Sequence, residues 1–176
     1  MAHCDGRFYR DRTVAVIGGG NSAAEDALYL SRLAKTVYLV HRRDTLRAGR
    51  IYADSVISAE NIEFLKNRRV SEIKTDDGRV TGVLLSSTDG TQSDSIALDG
   101  VFVSIGRDPA TELFSDQLLL ENGYIVADES TRTSIDGVFA VGDVRTKPLR
   151  QVVTATADGA VAVHFAEEYL AGLRSC

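Results

Sequence analysis

The sequence predicts an α/β fold: a Rossmann-like domain, with a parallel sheet, helices and an antiparallel meander, followed by a second, irregular segment. Three observations carry this expectation. The β-prone run Val14, Ala15, Val16 and Ile17 feeds Gly18-Gly19-Gly20-Asn21-Ser22-Ala23, a Gly-x-Gly-x-x-Ala turn, and a helical pattern opens directly behind it. A second apolar run over residues 37–40 ends in His41, Arg42 and Arg43. From residue 68 the pattern changes to short alternating strands split at Asp77-Gly78 and Asp89-Gly90.

Taken in order, a polar lead over residues 1–12 precedes a strand at 13–17 and a helix at about 21–34. On that helix Ala23, Ala27, Leu30 and Ala34 recur at helical spacing and predict one buried stripe. Glu25 and Asp26 fall near its start, where acids favour the helix dipole. A strand at 36–41, a helix at 50–60 and a third parallel strand at 62–65 follow. The meander covers one face of the sheet, and residues 101–106 return to it as a buried strand. Arg107-Asp108-Pro109 breaks the pattern and marks the expected domain boundary. Beyond it come loop, short strands near 118–120 and 124–126, and a strand at 138–141 ending at Gly142 and Asp143. The last helix spans about 150–173, with Val152, Ala155, Val163, Ala166 and Leu170 on one face. So few regular elements make a poor independent core, so this half reads as part of something larger, with an exposed face that favours association.

The glycine turn and the basic cluster specify a nicotinamide dinucleotide and say which one. Gly18 allows the strand to turn, Gly20 lets backbone N–H groups approach a pyrophosphate, and Ala23 keeps the helix close to the sheet. The helix N-terminus aims unpaired N–H groups and a partial positive charge at the phosphates. A carboxylate after the second strand would bond the ribose hydroxyls of NAD; cations there select the 2′-phosphate of NADP. Residues 41–50 hold four Arg against one Asp in a chain of net charge −5, a local reversal that an anionic ligand explains.

At 176 residues and 44% hydrophobic, the chain buries one ordinary core, or one domain and a piece of another. Its acidic balance argues against nucleic acid as a partner. No apolar run reaches membrane-spanning length and no secretory signal precedes the first strand. Cys4 and Cys176 stand at opposite ends, which is no disulfide framework and fits a reducing cytoplasm. There is no internal repeat and no metal-ligand spacing; of the scattered histidines, His164 reads as a packing or surface residue.

The order Cys4-Asp5-Gly6, the Gly18–Ala23 turn, His41-Arg42-Arg43-Asp44, Gly137-Val138-Phe139-Ala140-Val141-Gly142-Asp143 and Leu149-Arg150-Gln151-Val152-Val153 resembles bacterial thioredoxin reductases of the low-molecular-weight class, end to end. The resemblance implies an NADPH domain (1–107) and the C-terminal half of a split FAD-binding domain (108–176), with electrons passing from NADPH to FAD to a disulfide to a thioredoxin-like protein. It implies that Gly18, Gly20, Asn21, Ser22 and Ala23 seat the pyrophosphate and that His41, Arg42, Arg43 and Arg47 hold the 2′-phosphate. Ile105 and Gly106 resemble the segment beside the nicotinamide nucleotide. Gly142 and Asp143 match the flavin ribityl or phosphate region; Arg150, Gln151 and Val152 match the start of the helix facing the flavin ring. Cys4 and Asp5 match the flavin-proximal cysteine and the acid that handles the dithiol proton. A homodimer in the cytoplasm is the corresponding expectation.

Two departures stand out. The family's Cys-x-x-Cys is here Met1-Ala2-His3-Cys4, and the sequence has one Gly-rich turn where a two-dinucleotide enzyme needs two. The expectation is an N-terminally truncated thioredoxin reductase that does not reduce thioredoxin by itself. A fragment of an alkyl hydroperoxide reductase flavoprotein and a non-catalytic NADPH-binding module are the alternatives; a ferredoxin–NADP reductase gives Cys4-Asp5-Gly6 no role.

Overall fold

The structure, a computed structural model, describes residues 2–174. Two compact units divide the chain, one ending at Gly106 and the other starting at Arg107. In chain order the first holds helix α1 (Ala2–Asp5), a 3-10 helix (Gly6–Tyr9), strand β1 (Thr13–Ile17), helix α2 (Asn21–Ser31) and strand β2 (Thr36–His41). Helix α3 (Arg50–Ser58) and strands β3 (Ile62–Lys66), β4 (Arg68–Asp76), β5 (Arg79–Ser87), β6 (Ser93–Ala97) and β7 (Gly100–Val103) complete it.

The order β3-β2-β1-β7 forms a parallel sheet, and β4-β5-β6 an antiparallel one. Pleating separates the side chains of β1 onto two faces. Val14 and Val16 join Val37, Leu39, Val56 and the α2 stripe of Ala23, Ala27 and Leu30 in one core. Ala15 and Val40 face the other way, against Val83, Leu85 and Leu98 of the antiparallel layer. Three layers result, and β1, covered on both faces, is the apolar run a central parallel strand requires. The β4–β5 turn places Asp77 and Gly78 at φ 45° and 70°, the conformation that makes Asp-Gly a hairpin signal.

Several expectations are corrected here. The polar lead packs onto the domain: Ala2 and Gly6 are buried, and Tyr9 packs edge-on against Phe102 at 5.2 Å. Helix α2 ends at Ser31, although Ala34 remains buried and its N–H still reaches the Leu30 carbonyl. Strand β7 pairs with β1 but stops at Val103, and Val103 and Ile105 are exposed because nothing in this unit covers that end.

The second unit contains strands β8 (Leu120–Glu121) and β9 (Tyr124–Ile125), two 3-10 turns (Glu112–Phe114 and Gly142–Val144) and helix α4 (Val152–Arg174). The strand expected at 138–141 does not form; a single bridge, Arg132 to Phe139, is its pairing among the described residues. The apolar stripe expected on α4 is not its buried side. Val152, Val163 and Leu170 are 84%, 61% and 53% exposed, and the helix's buried residue is Asp158. What α4 buries is a charge cluster. Asp158 accepts from Arg145 Nε at 2.9 Å and Nη2 at 2.8 Å, from Lys147 Nζ at 2.6 Å and from the Gly142 N–H at 2.8 Å.

Candidate functional site

The glycine turn forms because three constraints meet at the end of β1. Gly18 has a φ of 152°, and a Cβ there would strike the Ser104 carbonyl and approach Ala23 Cβ to 2.8 Å. A Cβ on Gly19 would collide with the His41 ring. A Cβ on Gly20, by contrast, would meet nothing within 4 Å, so the outer side of the turn is open. Helical bonding in α2 begins with the Ala24 N–H to the Gly20 carbonyl at 3.1 Å, which leaves the amides of Asn21, Ser22 and Ala23 without partners inside the helix. An open cradle with unpaired N–H groups at a helix start suits a diphosphate.

The loop after β2, residues 42–49, is fastened to this turn. The Gly19 carbonyl accepts from the Arg47 N–H at 2.7 Å and the Ala48 N–H at 3.1 Å, and Asn21 Oδ1 accepts from the Gly49 N–H at 2.8 Å. Arg42, Arg43 and Arg47 are exposed, and none is held in an ion pair among the described residues. Turn and loop therefore form one continuous, cationic edge.

His41 differs from its neighbours. It is 5% exposed, packs under Gly19, and its Nε2 is buried with no hydrogen-bond partner. Burial, then the charges of Arg47, Arg43 and Arg42, hold its pKa below the ordinary value of 6.5. The ring is a neutral spacer beneath the turn, and the accessible donors of the cluster are the arginines. Because the folded pKa is depressed, the contribution of His41 to stability is full above pH 6.5 and is lost as pH falls through the folded value. Urea unfolding between pH 5 and 8 should show that slope, and His41→Gln should remove it; an unchanged slope in the variant would refute this role.

The remaining expected residues fall in different places. Ile105 and Gly106 follow Ser104, whose N–H bonds the Ile17 carbonyl at 2.8 Å, so they leave the sheet beside the turn. Glu25 and Asp26 lie past the first turn of α2 and do not serve its dipole; Tyr52 donates to Glu25, and Ser104 Oγ donates to Asp26 at 2.6 Å. Cys4 is an exposed free thiol on α1 with Asp5 beside it. Gly6 packs on Tyr29, Leu30 and Leu33, and the His3 ring meets the Tyr29 ring at 4.3 Å in a tilted contact, so α1 sits at the C-terminal end of α2. The structure does not bring Cys4 to the glycine turn. Met1 and Cys176 lie outside the described residues.

In the second unit, Asp143 is half-exposed and stands 3.7 Å from Arg107. Arg150 lies over the Tyr124 ring at 4.0 Å and approaches the Asp143 carbonyl at 3.4 Å. Arg150 and Gln151 precede α4, which starts at Val152, and the Gln151 N–H is held by Thr154 Oγ1 at 3.1 Å. The Gly142 N–H is occupied by Asp158. Sequence reasoning passed over Gly19, the loop anchor in Asn21, and the Arg145, Lys147 and Asp158 cluster. A glycine at the variable place of the motif signals the first; the others depend on long-range bonds that carry no local pattern. Among the described residues, no group of three or more His, Cys, Asp or Glu is placed to hold a metal, and no helix is long and apolar enough to cross a membrane.

Comparison with known proteins agrees with this architecture. The sequence pattern of the family described as pyridine nucleotide-disulphide oxidoreductase matches residues 2–159. A thioredoxin reductase of Listeria innocua is 47% identical over 175 residues, covering 98% of this chain and 54% of that protein. A Pseudomonas fluorescens protein named glucosaminate ammonia-lyase is 44% identical over 182 residues, covering 99% and 56% respectively. The crystal structure of thioredoxin reductase from Streptococcus pyogenes superposes with a TM-score of 0.90 at 42% identity, covering 98% of this chain and 56% of that one. The chain thus spans about half the length of the relatives it matches.

Proposed function

The chain belongs to the pyridine nucleotide-disulphide oxidoreductase family, and on that premise we propose that it is the NADPH-binding portion of a flavin-dependent thioredoxin-disulfide reductase. The observation that carries the reading is the unpaired arginine edge fastened over an open glycine turn. Two ligand groups fit two parts of that edge: the diphosphate at the amides of Asn21, Ser22 and Ala23, and the 2′-phosphate at Arg42, Arg43 and Arg47. Guanidinium forks suit the phosphate dianion because they donate two parallel bonds.

Residues 1–107 form the NADPH domain in this reading, and residues 108–176 contribute to an FAD domain. Asp143 offers an exposed carboxylate to ribityl hydroxyls, and the first amides of α4 offer a positive dipole end to the ring. Flavin, when bound, supplies the electron relay between nicotinamide and a disulfide. The present 176 residues hold one dinucleotide turn, and Cys4, at the far end of α2, is the free thiol among the described residues. Nucleotide binding is therefore assigned to this chain, and reduction of a thioredoxin-like partner, as a cytoplasmic homodimer, to a protein that also has a second dinucleotide turn and a second redox cysteine.

Titration of the purified chain tests the assignment. NADPH should bind at least about a hundredfold more tightly than NADH, as two charge-assisted bonds allow. Equal affinities would overturn the 2′-phosphate assignment. A yellow flavin absorption that co-purifies with the chain would add the FAD function; a colourless protein that binds NADPH is the non-catalytic module.

A further inference from the structure

The site just described has two parts with different tasks. The glycine turn serves the diphosphate, which NADH and NADPH share. The loop at 42–49 serves the phosphoester that only NADPH carries. The loop is fixed at several points: Arg47 and Ala48 donate to the Gly19 carbonyl, the His41 ring bonds the Thr45 backbone, and the Asn67 N–H donates to the Arg43 carbonyl at 3.2 Å. At its far end, where Gly49 becomes the N-cap of α3, the anchor is a side chain, Asn21 Oδ1 at 2.8 Å.

We propose that Asn21 is a positioning residue for coenzyme choice: its backbone belongs to the turn that receives the diphosphate, while its side chain holds the arginine loop in the geometry that receives the 2′-phosphate. This rests on the NADPH reading and deepens it. Asn21 carries no charge, so it does not attract the phosphate itself. Its carbonyl oxygen satisfies the Gly49 N–H, and without that acceptor the exit of the loop is free to shift against the turn. The cations would then be ordered only at the moment of binding, at an entropic cost that falls on NADPH and not on NADH.

The test is binding of both coenzymes to the wild-type chain, Asn21→Ala and Asn21→Asp, with amide hydrogen exchange on the free proteins. Asn21→Ala should lower the ratio of NADPH to NADH affinity about tenfold, the worth of one hydrogen bond. The amides of residues 47–49 should exchange faster, with the remainder of the first unit unchanged. Asn21→Asp keeps an acceptor for Gly49 and should keep the NADPH to NADH ratio, because its added charge acts on the diphosphate of both. Wild type preferring NADPH, with Asn21→Ala weakening both coenzymes alike or Asn21→Asp losing the ratio, would overturn the anchor and leave the NADPH reading standing. Wild type binding both coenzymes equally would overturn the two together.

Discussion

Replacing Arg42 and Arg43 together by Ala is expected to weaken NADPH binding by about 3–5 kcal/mol and to leave NADH almost unchanged, since each charge-assisted bond to the phosphate is worth roughly 1.5–3 kcal/mol. Both side chains are exposed, and neither forms an ion pair in the described chain, so the substitutions remove no internal contact that would disturb the fold. The loop itself is held by main-chain groups at Arg47, Ala48 and Gly49, so its path survives the double change. Calorimetric titration with each coenzyme measures the two losses separately. Equal losses for NADPH and NADH would show that the arginines act on the shared part of the molecule and would remove the basis for coenzyme selection.

Asp158→Asn is expected to destabilise the second unit by about 3–5 kcal/mol, because the change removes the buried counter-charge of Arg145 and Lys147 and leaves Arg145 the exposed Glu129 carboxylate at 3.6 Å. Asn retains the shape and can still accept from the Gly142 N–H, so the loss isolates charge from packing. The Arg145 guanidinium, followed by Lys147 and the Gly142 N–H, holds the Asp158 carboxyl well below the usual carboxylate range against the opposing effect of burial. A depressed folded pKa means that this stabilisation is complete above the unfolded carboxylate value and is lost as pH falls through the folded one, in strong acid. Urea unfolding read by hydrogen exchange should place the loss in the segments around residues 127, 142 and 158 and spare the first unit. A change below about 1 kcal/mol would show that the cluster is offset by solvent rather than by its own ion pairs.

The first unit was largely legible in the sequence because its signals are local and agree with one another. The β-branched run of β1, the glycine turn and the Ala23, Ala27 and Leu30 stripe each point to the same sheet-and-helix packing, and the structure has them so. The Asp-Gly turns likewise announce the antiparallel layer. The second unit was not legible in the same way. Val138, Phe139, Ala140 and Val141 have strand composition, yet a strand needs a neighbour, and Arg132 offers only one bridge. Helix α4 is apolar on more than one side, so periodicity alone could not say that Asp158 marks its buried face. At the candidate site, residue types point to the arginines and glycines, whereas the burial of His41 and the engagement of Asn21 depend on where residues 19 and 49 arrive in space.

The Gly19 carbonyl grips residues 47 and 48 by their amides, which every amino acid but proline possesses. Guanidinium chemistry at positions 42, 43 and 47 is thus decoupled from the shape of the segment that displays it. A protein engineer can rewrite those three letters while the scaffold beneath keeps its course.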